Sequence, residues 1–305
     1  MEHIEQAGVH SGDSSCVFPA HSLSEKIQSQ LRDQMTQLAK ALNVVGLMNA
    51  QFAIQRSVVG GQWSESEESQ IYVLEVNPRA SRTVPFLAKA TGLPLVGIAT
   101  KCMAGVSLSH FRLPATDHRP PYFSVKKPVF PFTKFPGVDP ILGPEMRSTG
   151  EAMGIAKTLG QAFLKAELSV KNKLPQSGRV FVSVRDADKV RVIPIAKKLL
   201  QLGFTVVSTS GTAATLQQYG IPCELVNKVE EGRPHIVDRM RNGDIQLVIN
   251  TTEGEKAIAD SYTIRRSAVE REICYTTTLA GAEAVCMAIE TLDIGDVVCL
   301  QGSDQ

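Results

Sequence analysis

The amino-acid sequence predicts an α/β protein built from two parts, and three observations support this prediction. In the C-terminal part, short apolar stretches alternate with amphipathic ones, which is typical of parallel strands covered by helices. In the N-terminal part, one amphipathic helix pattern and two strand patterns indicate a mixed α+β arrangement. Between them, the polar segment Ser169 to Gly178 has the composition of a domain linker. We therefore expect domains at residues 1–170 and 176–305.

Composition and charge exclude several classes of protein. The chain has 305 residues, of which 43% are hydrophobic and 21% charged, as in ordinary globular proteins. Its net charge is +1, whereas binding to nucleic acids or anionic membranes calls for a strong basic excess. No apolar run reaches the ~20 residues of a membrane span, and the N-terminus lacks the pattern of a signal peptide. We expect no nucleic-acid or membrane partner.

The six cysteines indicate a reducing compartment. They are Cys16, Cys102, Cys223, Cys274, Cys286 and Cys299. None lies within four residues of another, which disfavours zinc knuckles and redox pairs and favours buried free thiols. We predict a cytoplasmic protein, or one of the plastid stroma if it is organellar.

The first part opens with a polar stretch that is typical of a loop or strand end, and its first helix is predicted from about Ser22. Glu25 stands three residues later, which is the spacing of a capping box. The apolar stripe of this helix is Ile27, Leu31, Met35, Leu38 and Leu42. Two strands are predicted next, Gly46 to Ile54 and Ile71 to Val76, with an exposed acidic hairpin loop at residues 60–68 between them.

Caps and prolines predict the rest of the first part. A helix should begin at Val84 behind the cap Thr83 and end at Gly92. Residues 110–145 are rich in proline and aromatic side chains, so we expect an irregular but packed segment. A further helix is predicted from Gly150 into the 160s.

The second part is predicted to alternate between strands and helices. The strands are Val180 to Val184, Phe204 to Val207, Cys223 to Val226, Leu247 to Ile249, Ile273 to Tyr275 and an edge strand, Val297 to Leu300. The helices are Val190 to Leu202, Thr212 to Tyr219, Pro234 to Arg241, Lys256 to Val269 and Leu279 to Leu292. Continuous apolar strands between helices predict a doubly wound parallel sheet.

Glu75 and Asn77 form the first candidate site. They stand two residues apart on a predicted strand, so both side chains leave the same face of the sheet. A carboxylate and an amide oxygen suit a magnesium ion that bridges nucleotide phosphates. Gln51 lies on the preceding strand, and Arg79 and Arg82 follow the strand end, where they can meet an anionic substrate. Taken alone, the Glu-x-Asn pair also fits a solvated strand face.

Two hydroxyl-rich turns form the second candidate site. Residues 208–212 and 250–254 each follow a predicted strand and lead into a helix, where hydroxyls and free backbone amides bind anions. Both turns fall at the carboxyl ends of parallel strands, and Lys189 and Lys228 add positive charge. One such turn is often only a helix cap, but two turns with two lysines favour a phosphate site.

Longer stretches around the first site resemble a known family. Glu75 to Thr83 is similar to the phosphate and metal end of the ATP-grasp ligases, and specifically to that of carbamoyl-phosphate synthetase. The similarity continues through Phe86 to Gly92, Lys134 to Pro140 and Gly143 to Glu151. The resemblance implies that residues 1–170 are the C-terminal part of an ATP-grasp domain, with an antiparallel sheet and helices.

The resemblance also implies roles for individual residues. Magnesium or manganese ions would be held by Gln51, Glu75 and Asn77. ATP would be bound by Gly8, Val9, His10, Ser11, Gln51 and Glu75. Arg79 and Arg82 would act on the transferred group. In the family this ATP site phosphorylates carbamate to carbamoyl phosphate, for arginine and pyrimidine biosynthesis.

The same resemblance predicts partners. An ATP-grasp site also needs a glycine-rich loop and basic residues from a preceding lobe, and none precedes Met1, so we expect the isolated chain not to be a competent synthase. The expected partners are the remainder of the large chain and, indirectly, the small glutamine amidotransferase subunit. We expect the assembly to be an oligomer.

The second part resembles the methylglyoxal-synthase-like domain that ends carbamoyl-phosphate synthetase. Residues 227–229, 232–236, 250–252 and 264–268 carry the similarity. In that family the domain binds UMP or IMP as a regulator. The residues that match the nucleotide site are Lys189, Thr209, Thr212, Lys228, Asn250, Thr251, Thr252 and Ser261.

Some bacterial relatives also bind ornithine between the two domains. Glu5, Asp13, Tyr275 and Thr277 match that site. Lys127 departs from the family pattern, which places there an acidic residue able to pair with the amine of ornithine. Because a lysine repels that cation, we expect no activation by ornithine.

Two other functions stay open at this point. The chain could be a free-standing nucleotide-binding regulator with a vestigial first part. It could also be a methylglyoxal synthase, whose chemistry needs carboxylates near the phosphate to move protons. The two turns offer threonine, serine and asparagine instead, and a shared fold does not by itself carry a reaction.

Overall fold

The computed structural model describes residues 1–55, 57–59, 62–64, 70–113, 120–291 and 295. In chain order, the first part contains β1 (Glu2–His3), β2 (Cys16–Phe18), α1 (Glu25–Ala41), β3 (Asn49–Gln55), β4 (Ser57–Val59), β5 (Gln62–Ser64), β6 (Gln70–Asn77), α2 (Val84–Thr91), α3 (Leu95–Met103), β7 (Phe123–Val129), β8 (Gly150–Ala156) and α4 (Leu159–Ser169).

The second part contains β9 (Gly178–Ser183), α5 (Val192–Gln201), β10 (Phe204–Ser208), α6 (Ser210–Gln218), β11 (Glu224–Leu225), α7 (Ile236–Arg241), β12 (Leu247–Asn250), α8 (Glu255–Asp260), α9 (Tyr262–Glu270), β13 (Cys274–Thr276) and α10 (Leu279–Thr291). The edge strand predicted at residues 297–300 and most of the predicted acidic loop lie outside the described residues.

The second part is a parallel sheet in the order β11-β10-β9-β12-β13, and all its pairings are parallel. Val180 and Val182 of β9 pack into one apolar core, while Phe181 between them packs into a core on the other face. Because successive side chains of a strand point to opposite faces, both faces must be covered. The prediction of a doubly wound parallel sheet is confirmed.

The first part contains an antiparallel sheet in the order β1-β2-β7-β8. Helix α4 packs so closely on β8 that only glycine fits at position 154, because a Cβ there would lie 2.0 Å from the carbonyl oxygen of Ala162. Val17 and Val125 of this sheet belong to the same apolar core as Val180. Strands β3 and β6 form a separate antiparallel ribbon, and none of their described residues belongs to that core.

The first helix begins later than predicted. Helix α1 starts at Glu25, and its N-cap is Ser24, whose Oγ accepts a hydrogen bond from the backbone N–H of Ile27 at 3.3 Å. Ser22 instead donates its backbone N–H to the carboxylate of Glu2 at 2.9 Å. The capping-box prediction was wrong because this contact ties Ser22 to β1, and the chain turns into the helix two residues later.

Strand pairing overrides local preference in two other segments. Residues 150–156 form β8 rather than a helix, because they pair along the whole of β7. Strand β7 itself crosses the segment predicted to be irregular.

Helix α3 was not predicted, since no side chain caps it. Helix α2 has the predicted bounds and ends at Gly92 with φ +69°, although the Thr83 side chain makes no capping hydrogen bond.

One predicted helix of the second part is divided. The segment predicted as a single helix, 256–269, forms α8 and α9, which meet at Ser261.

The described cysteines form no disulfide, and burial raises the pKa of Cys16 to about 11 and that of Cys274 to about 12. In the described part of the chain, no helix has the length and apolar character needed to cross a membrane.

Candidate functional site

The ribbon of β3 and β6 brings the predicted metal ligands together. Its register places Gln51 directly opposite Glu75, and Asn49 opposite Asn77, with an irregularity just after Gln51. Asn77 Nδ2 donates to Glu75 Oε1 at 2.6 Å, so the two side chains lie on one face, as their spacing predicts. Glu75 is exposed and Asn77 half-buried, which leaves this face open to a ligand.

The N-terminal loop reaches the same place. Gln51 Nε2 donates to the carbonyl oxygen of Val9 at 3.3 Å, which ties residues 8–11 to the ribbon. His10 is held from two sides: its backbone N–H donates to the Gly143 carbonyl at 2.8 Å, and its Nδ1 accepts the Gly12 N–H at 3.0 Å. The structure therefore places the predicted ATP-lining loop beside the predicted metal ligands, although 42 positions separate Val9 from Gln51.

The two candidate arginines differ in their contacts. Arg79 Nη2 lies 3.4 Å from Asn77 Oδ1, and its Nη1 donates to the Ala80 carbonyl at 3.0 Å. Arg82 is exposed beyond the strand end. Arg79 is therefore already close to a candidate metal ligand, whereas Arg82 lies in solvent.

The donor set of the ribbon fits a hard divalent cation. It offers one carboxylate, from Glu75, and the amide oxygens of Gln51 and Asn77. Across the described ranges, no group of three or more His, Cys, Asp and Glu side chains is placed to hold a metal. A protein site with so few charges suits magnesium or manganese that takes its remaining oxygen ligands from nucleotide phosphates and water.

A cavity of about 620 Å³ opens at the carboxyl ends of β9, β10 and β12. Six of the eight residues predicted to bind a nucleotide line it: Thr209, Lys228, Asn250, Thr251, Thr252 and Ser261. The cavity lies where ligands gather in open parallel sheets.

The other two predicted residues do not line this cavity. Thr212 is buried, and its Oγ1 accepts the backbone N–H of Val184 at 3.2 Å, so it fastens α6 to the end of β9. Lys189 forms an ion pair with Asp186 at 2.7 Å. The family resemblance implied both residues for the nucleotide site, but in the structure each side chain is held by a neighbour in the chain or the sheet.

Sequence reasoning missed two basic residues of the cavity, Arg185 and Lys256. Arg185 binds the buried Asp188 at 2.8 Å and the exposed Glu253 at 3.3 Å. Its hydrogen bond to Asp188 raises the pKa of Arg185. The signal was present in the sequence, because Arg185 follows β9 almost directly, at the sheet edge where the two turns were expected.

Asn250 carries an unused acceptor in this cavity. Its Nδ2 donates to the Ser183 carbonyl at 3.0 Å, while its Oδ1 is buried and has no hydrogen-bond partner among the described residues. Buried polar atoms are normally paired, so an N–H or O–H group of a ligand would satisfy Oδ1. Thr251 Oγ1 is already engaged by the backbone N–H of Arg185 at 3.1 Å.

Carboxylates also line this cavity, although the two turns themselves are rich in hydroxyls. Most of these acids have partners already: Asp186 pairs with Lys189, Glu253 with Arg185, and Glu231 accepts the Lys228 backbone N–H at 2.8 Å. Pairing with a cation or an N–H group stabilises the ionised carboxylate, which makes these acids weaker proton acceptors.

A second cavity, of about 580 Å³, lies between the antiparallel and parallel sheets. Three residues that match the ornithine site, Glu5, Tyr275 and Thr277, line it together with Lys127. Asp13 does not. Its fully buried carboxylate accepts backbone N–H groups from Arg147 at 2.7 Å and Ser148 at 2.9 Å, so Asp13 holds a loop instead of facing the cavity.

Lys127 has an internal partner in this second cavity. Its Nζ lies 2.7 Å from Oε1 of Glu167, which is only 1% exposed, and 5.4 Å from the centre of the Phe163 ring. Burial lowers the pKa of Lys127, but the charges of Glu167 and Glu5 outweigh it and raise the pKa overall. Burial also raises the pKa of Glu5. The cavity thus contains its own ammonium group.

Comparison with known proteins matches both parts of the chain. A family model described as carbamoyl-phosphate synthase L chain, ATP binding domain, matches residues 1–111, and one for the MGS-like domain matches residues 191–277. The carbamoyl phosphate synthase large chain of Xanthomonas campestris is 55% identical over 301 residues, 99% of this chain. Those of Pasteurella multocida and Pseudomonas aeruginosa are each 51% identical, over 100% and 95% of this chain. The chain spans only about a quarter of these relatives: 27%, 27% and 26% of their lengths.

Proposed function

Since the chain belongs to the family of carbamoyl phosphate synthase large chains, we propose that its first part supplies the metal-holding part of an ATP site that phosphorylates carbamate. The observation that carries this proposal is the ribbon register, which sets Gln51 opposite Glu75 and binds Gln51 to the Val9 carbonyl. Metal ligands and an ATP-lining loop then share one face, and phosphoryl transfer depends mainly on such positioning.

In this proposal the residues of the chain position charge. A magnesium or manganese ion, when bound by Gln51, Glu75 and Asn77, supplies positive charge to the nucleotide phosphates. Arg79, beside Asn77, stabilises negative charge on the transferred group, and Arg82 is free to swing toward it from solvent. The loop at residues 8–11 excludes water from one side of the nucleotide.

We expect the 305-residue polypeptide alone to form no carbamoyl phosphate, because the ligand face of the ribbon is exposed and the chain covers 27% of its relatives. The remainder of a large chain would cover this face. A glutamine amidotransferase small subunit would act through that remainder, in an oligomer. ATP-dependent carbamoyl phosphate formation by the purified polypeptide would contradict this part of the proposal.

The test of the ATP site uses Glu75→Ala in a full-length large chain that carries these residues. We expect ATP-dependent carbamoyl phosphate formation from carbamate to fall about 100-fold or more, because the only carboxylate of the ligand set is lost. Gln70→Ala is the matched control, since Gln70 is an exposed residue at the other end of the same strand. Equal activities of the two variants would refute the site.

We propose further that the cavity of the second part binds a phosphorylated nucleotide, UMP or IMP, as a regulator. Lys228, Lys256 and Arg185 supply positive charge around it, and the orphan Asn250 Oδ1 accepts a hydrogen bond from the ligand. Ornithine is not expected in the neighbouring cavity, because the Lys127 ammonium already pairs with Glu167 there.

Calorimetric titration of the chain with UMP and with IMP tests this site. Lys228→Ala should weaken binding about 10-fold or more, since a charge-assisted phosphate contact is lost. Lys197→Ala removes the same charge from the exposed face of α5 and should leave affinity unchanged. If neither nucleotide binds, or if both lysine variants bind like the parent chain, the assignment of this cavity as a regulatory site is wrong.

A free-standing nucleotide-binding regulator is the second candidate function. It is favoured by one observation: all residues of the 620 Å³ cavity, from Ser183 to Ile264, belong to the second part. An immunoblot of the source cells distinguishes the candidates. A band several times larger than 33.0 kDa supports the synthase, and a band at that mass supports the regulator.

A further inference from the structure

We infer that the ion pair between Arg265 and Asp139 positions residues 8–13, a segment that contains the predicted ATP-lining loop at residues 8–11, and transmits to it the occupancy of the 620 Å³ cavity. The inference rests on the proposed nucleotide site and extends it. The pair joins helix α9 of the second part to a segment of the first part that lies 126 positions away in the chain.

Arg265 is the most strongly buried cation of this contact. Its side chain is 2% exposed, and its Nε donates to Asp139 Oδ1 at 2.8 Å while its Nη2 donates to Oδ2. The same Nη2 donates to the Ile258 carbonyl of α8 at 2.7 Å. A buried guanidinium that loses its carboxylate is strongly destabilised, so a movement that separates Asp139 from α9 is unfavourable.

Neighbouring residues of α9 hold the same segment. The hydroxyl of Tyr262 donates to the Gly137 carbonyl at 2.9 Å, and Arg266 Nη1 donates to the Val138 carbonyl at 3.1 Å. With Arg265, three consecutive contacts therefore fasten residues 137–139 to one helix. Residues 137–139 therefore cannot shift relative to α9 without breaking these contacts.

The held segment reaches the ATP-lining loop by hydrogen bonds. The Asp139 carbonyl accepts Arg147 Nη1 at 2.6 Å, and the Arg147 backbone N–H donates to the Asp13 carboxylate at 2.7 Å. Asp13 is fully buried and closes the loop that contains His10. Because each contact is either buried or charge-assisted, a displacement of Asp139 changes the position of this loop.

The 620 Å³ cavity, called the regulator cavity below, lies at the N-terminal end of the same helix, next to these contacts. Ser261 and Ile264 line the cavity, and Ser261 is the residue at which α8 and α9 meet. The backbone N–H of Arg265 donates to the Ser261 carbonyl at 3.1 Å. A ligand that contacts Ser261 is therefore one helical turn from the guanidinium that holds Asp139.

Hydrogen exchange of the chain tests the inference without catalysis. In the absence of ligand, Asp139→Asn should speed exchange of the peptide covering residues 8–16 about 10-fold or more, because the loop loses its anchor. Glu270→Gln is the matched control: it removes the exposed ion-pair partner of Arg266 on the same helix and should leave the peptide unchanged. If Asp139→Asn prevents folding, Tyr262→Phe replaces it and should give a smaller acceleration at residues 8–16.

Saturating UMP, and IMP in parallel, tests the transmission. In the parent chain and in Glu270→Gln, the nucleotide should change exchange of the 8–16 peptide. In Asp139→Asn, or Tyr262→Phe, it should bind with unchanged affinity but leave that peptide unaltered, which a merely structural residue would not produce. A response retained in these variants, or no response in the parent chain despite measured binding, overturns the inference. If calorimetry detects no binding of either nucleotide, the proposed regulatory site and the transmission both fail, while the ligand-free arm still decides whether Asp139 anchors the loop.

Discussion

The two parts of the molecule bury their apolar residues to very different degrees. In the parallel sheet, all four residues of β12 are buried, and eight residues of helix α10 are buried. In the first part, the 17-residue helix α1 buries only Ile27. On β6, Tyr72, Val73 and Leu74 are 46%, 46% and 45% exposed. The second part is thus buried in a core that it shares with the antiparallel sheet and α4 of the first part, whereas the ribbon side of the first part presents apolar surface.

This difference teaches where stability and function reside. Tyr72 and Leu74 leave one face of β6 and Val73 leaves the other, and clustered exposed apolar side chains usually mark a contact with another protein element. The surface borders the candidate metal ligands on β6, so the element that covers it would also help to close the ATP site. By contrast, the regulator cavity needs nothing beyond residues 183–264 for its walls. We expect the nucleotide site to bind its ligand in this chain alone. We expect the ATP site to need the element that covers the apolar residues of β6.

The sharpest test of this comparison is one substitution, leucine to alanine, made in each part. Leu216→Ala removes a fully buried side chain from α6 and should cost about 2–5 kcal/mol in the free energy of unfolding, since it leaves a cavity. Leu74→Ala removes a side chain that is 45% exposed and should cost less than about 1 kcal/mol. Urea unfolding followed by circular dichroism measures both. Equal losses would mean that the ribbon has a core of its own.

The junction of β8 with α4 gives the next largest effect. Gly154→Ala places a methyl group 2.0 Å from the Ala162 carbonyl oxygen, so the helix must move away, at a cost of about 1–3 kcal/mol. Gly97→Ala is the matched control, because a Cβ on this glycine of α3 meets no atom of the described residues within 4 Å. It should raise stability by about 0.5–1 kcal/mol, as expected for alanine in a helix. If Gly154→Ala left the free energy of unfolding unchanged, α4 would be able to move away from β8 at little cost.

The third test is a pH dependence of the antiparallel sheet. Burial first, and then the charge of Lys126, lower the pKa of His3 from 6.5 to about 4. The unfolded chain therefore binds a proton that the folded chain excludes, and stability falls as the pH drops from 6.5 to 4. The slope should be at most about 1.4 kcal/mol per pH unit.

Replacement of His3 by asparagine should flatten this part of the stability curve, as measured by thermal unfolding at several pH values. His110→Asn is the control, since His110 is exposed and its replacement should keep the slope of the parent chain. A slope that persists in His3→Asn would assign the titration to another group.

The sequence by itself determined the parallel sheet and the common face of Glu75 and Asn77. Fully buried parallel strands are continuous apolar runs, so β9, β10 and β12 were identifiable without tertiary information. The alternation of side chains along a strand likewise placed Glu75 and Asn77 on one face. Both inferences depend only on near neighbours in the chain.

Tertiary structure alone decided what depends on distant neighbours. Residues 150–156 became a strand because β7 offered unpaired backbone groups, which outweigh helix propensity. Asp13 turned away from the cavity between the sheets to accept two backbone N–H groups, and Thr212 turned to the end of β9. The pair of Arg265 and Asp139 has no local signature, because a buried ion pair forms only where folding removes both groups from water together.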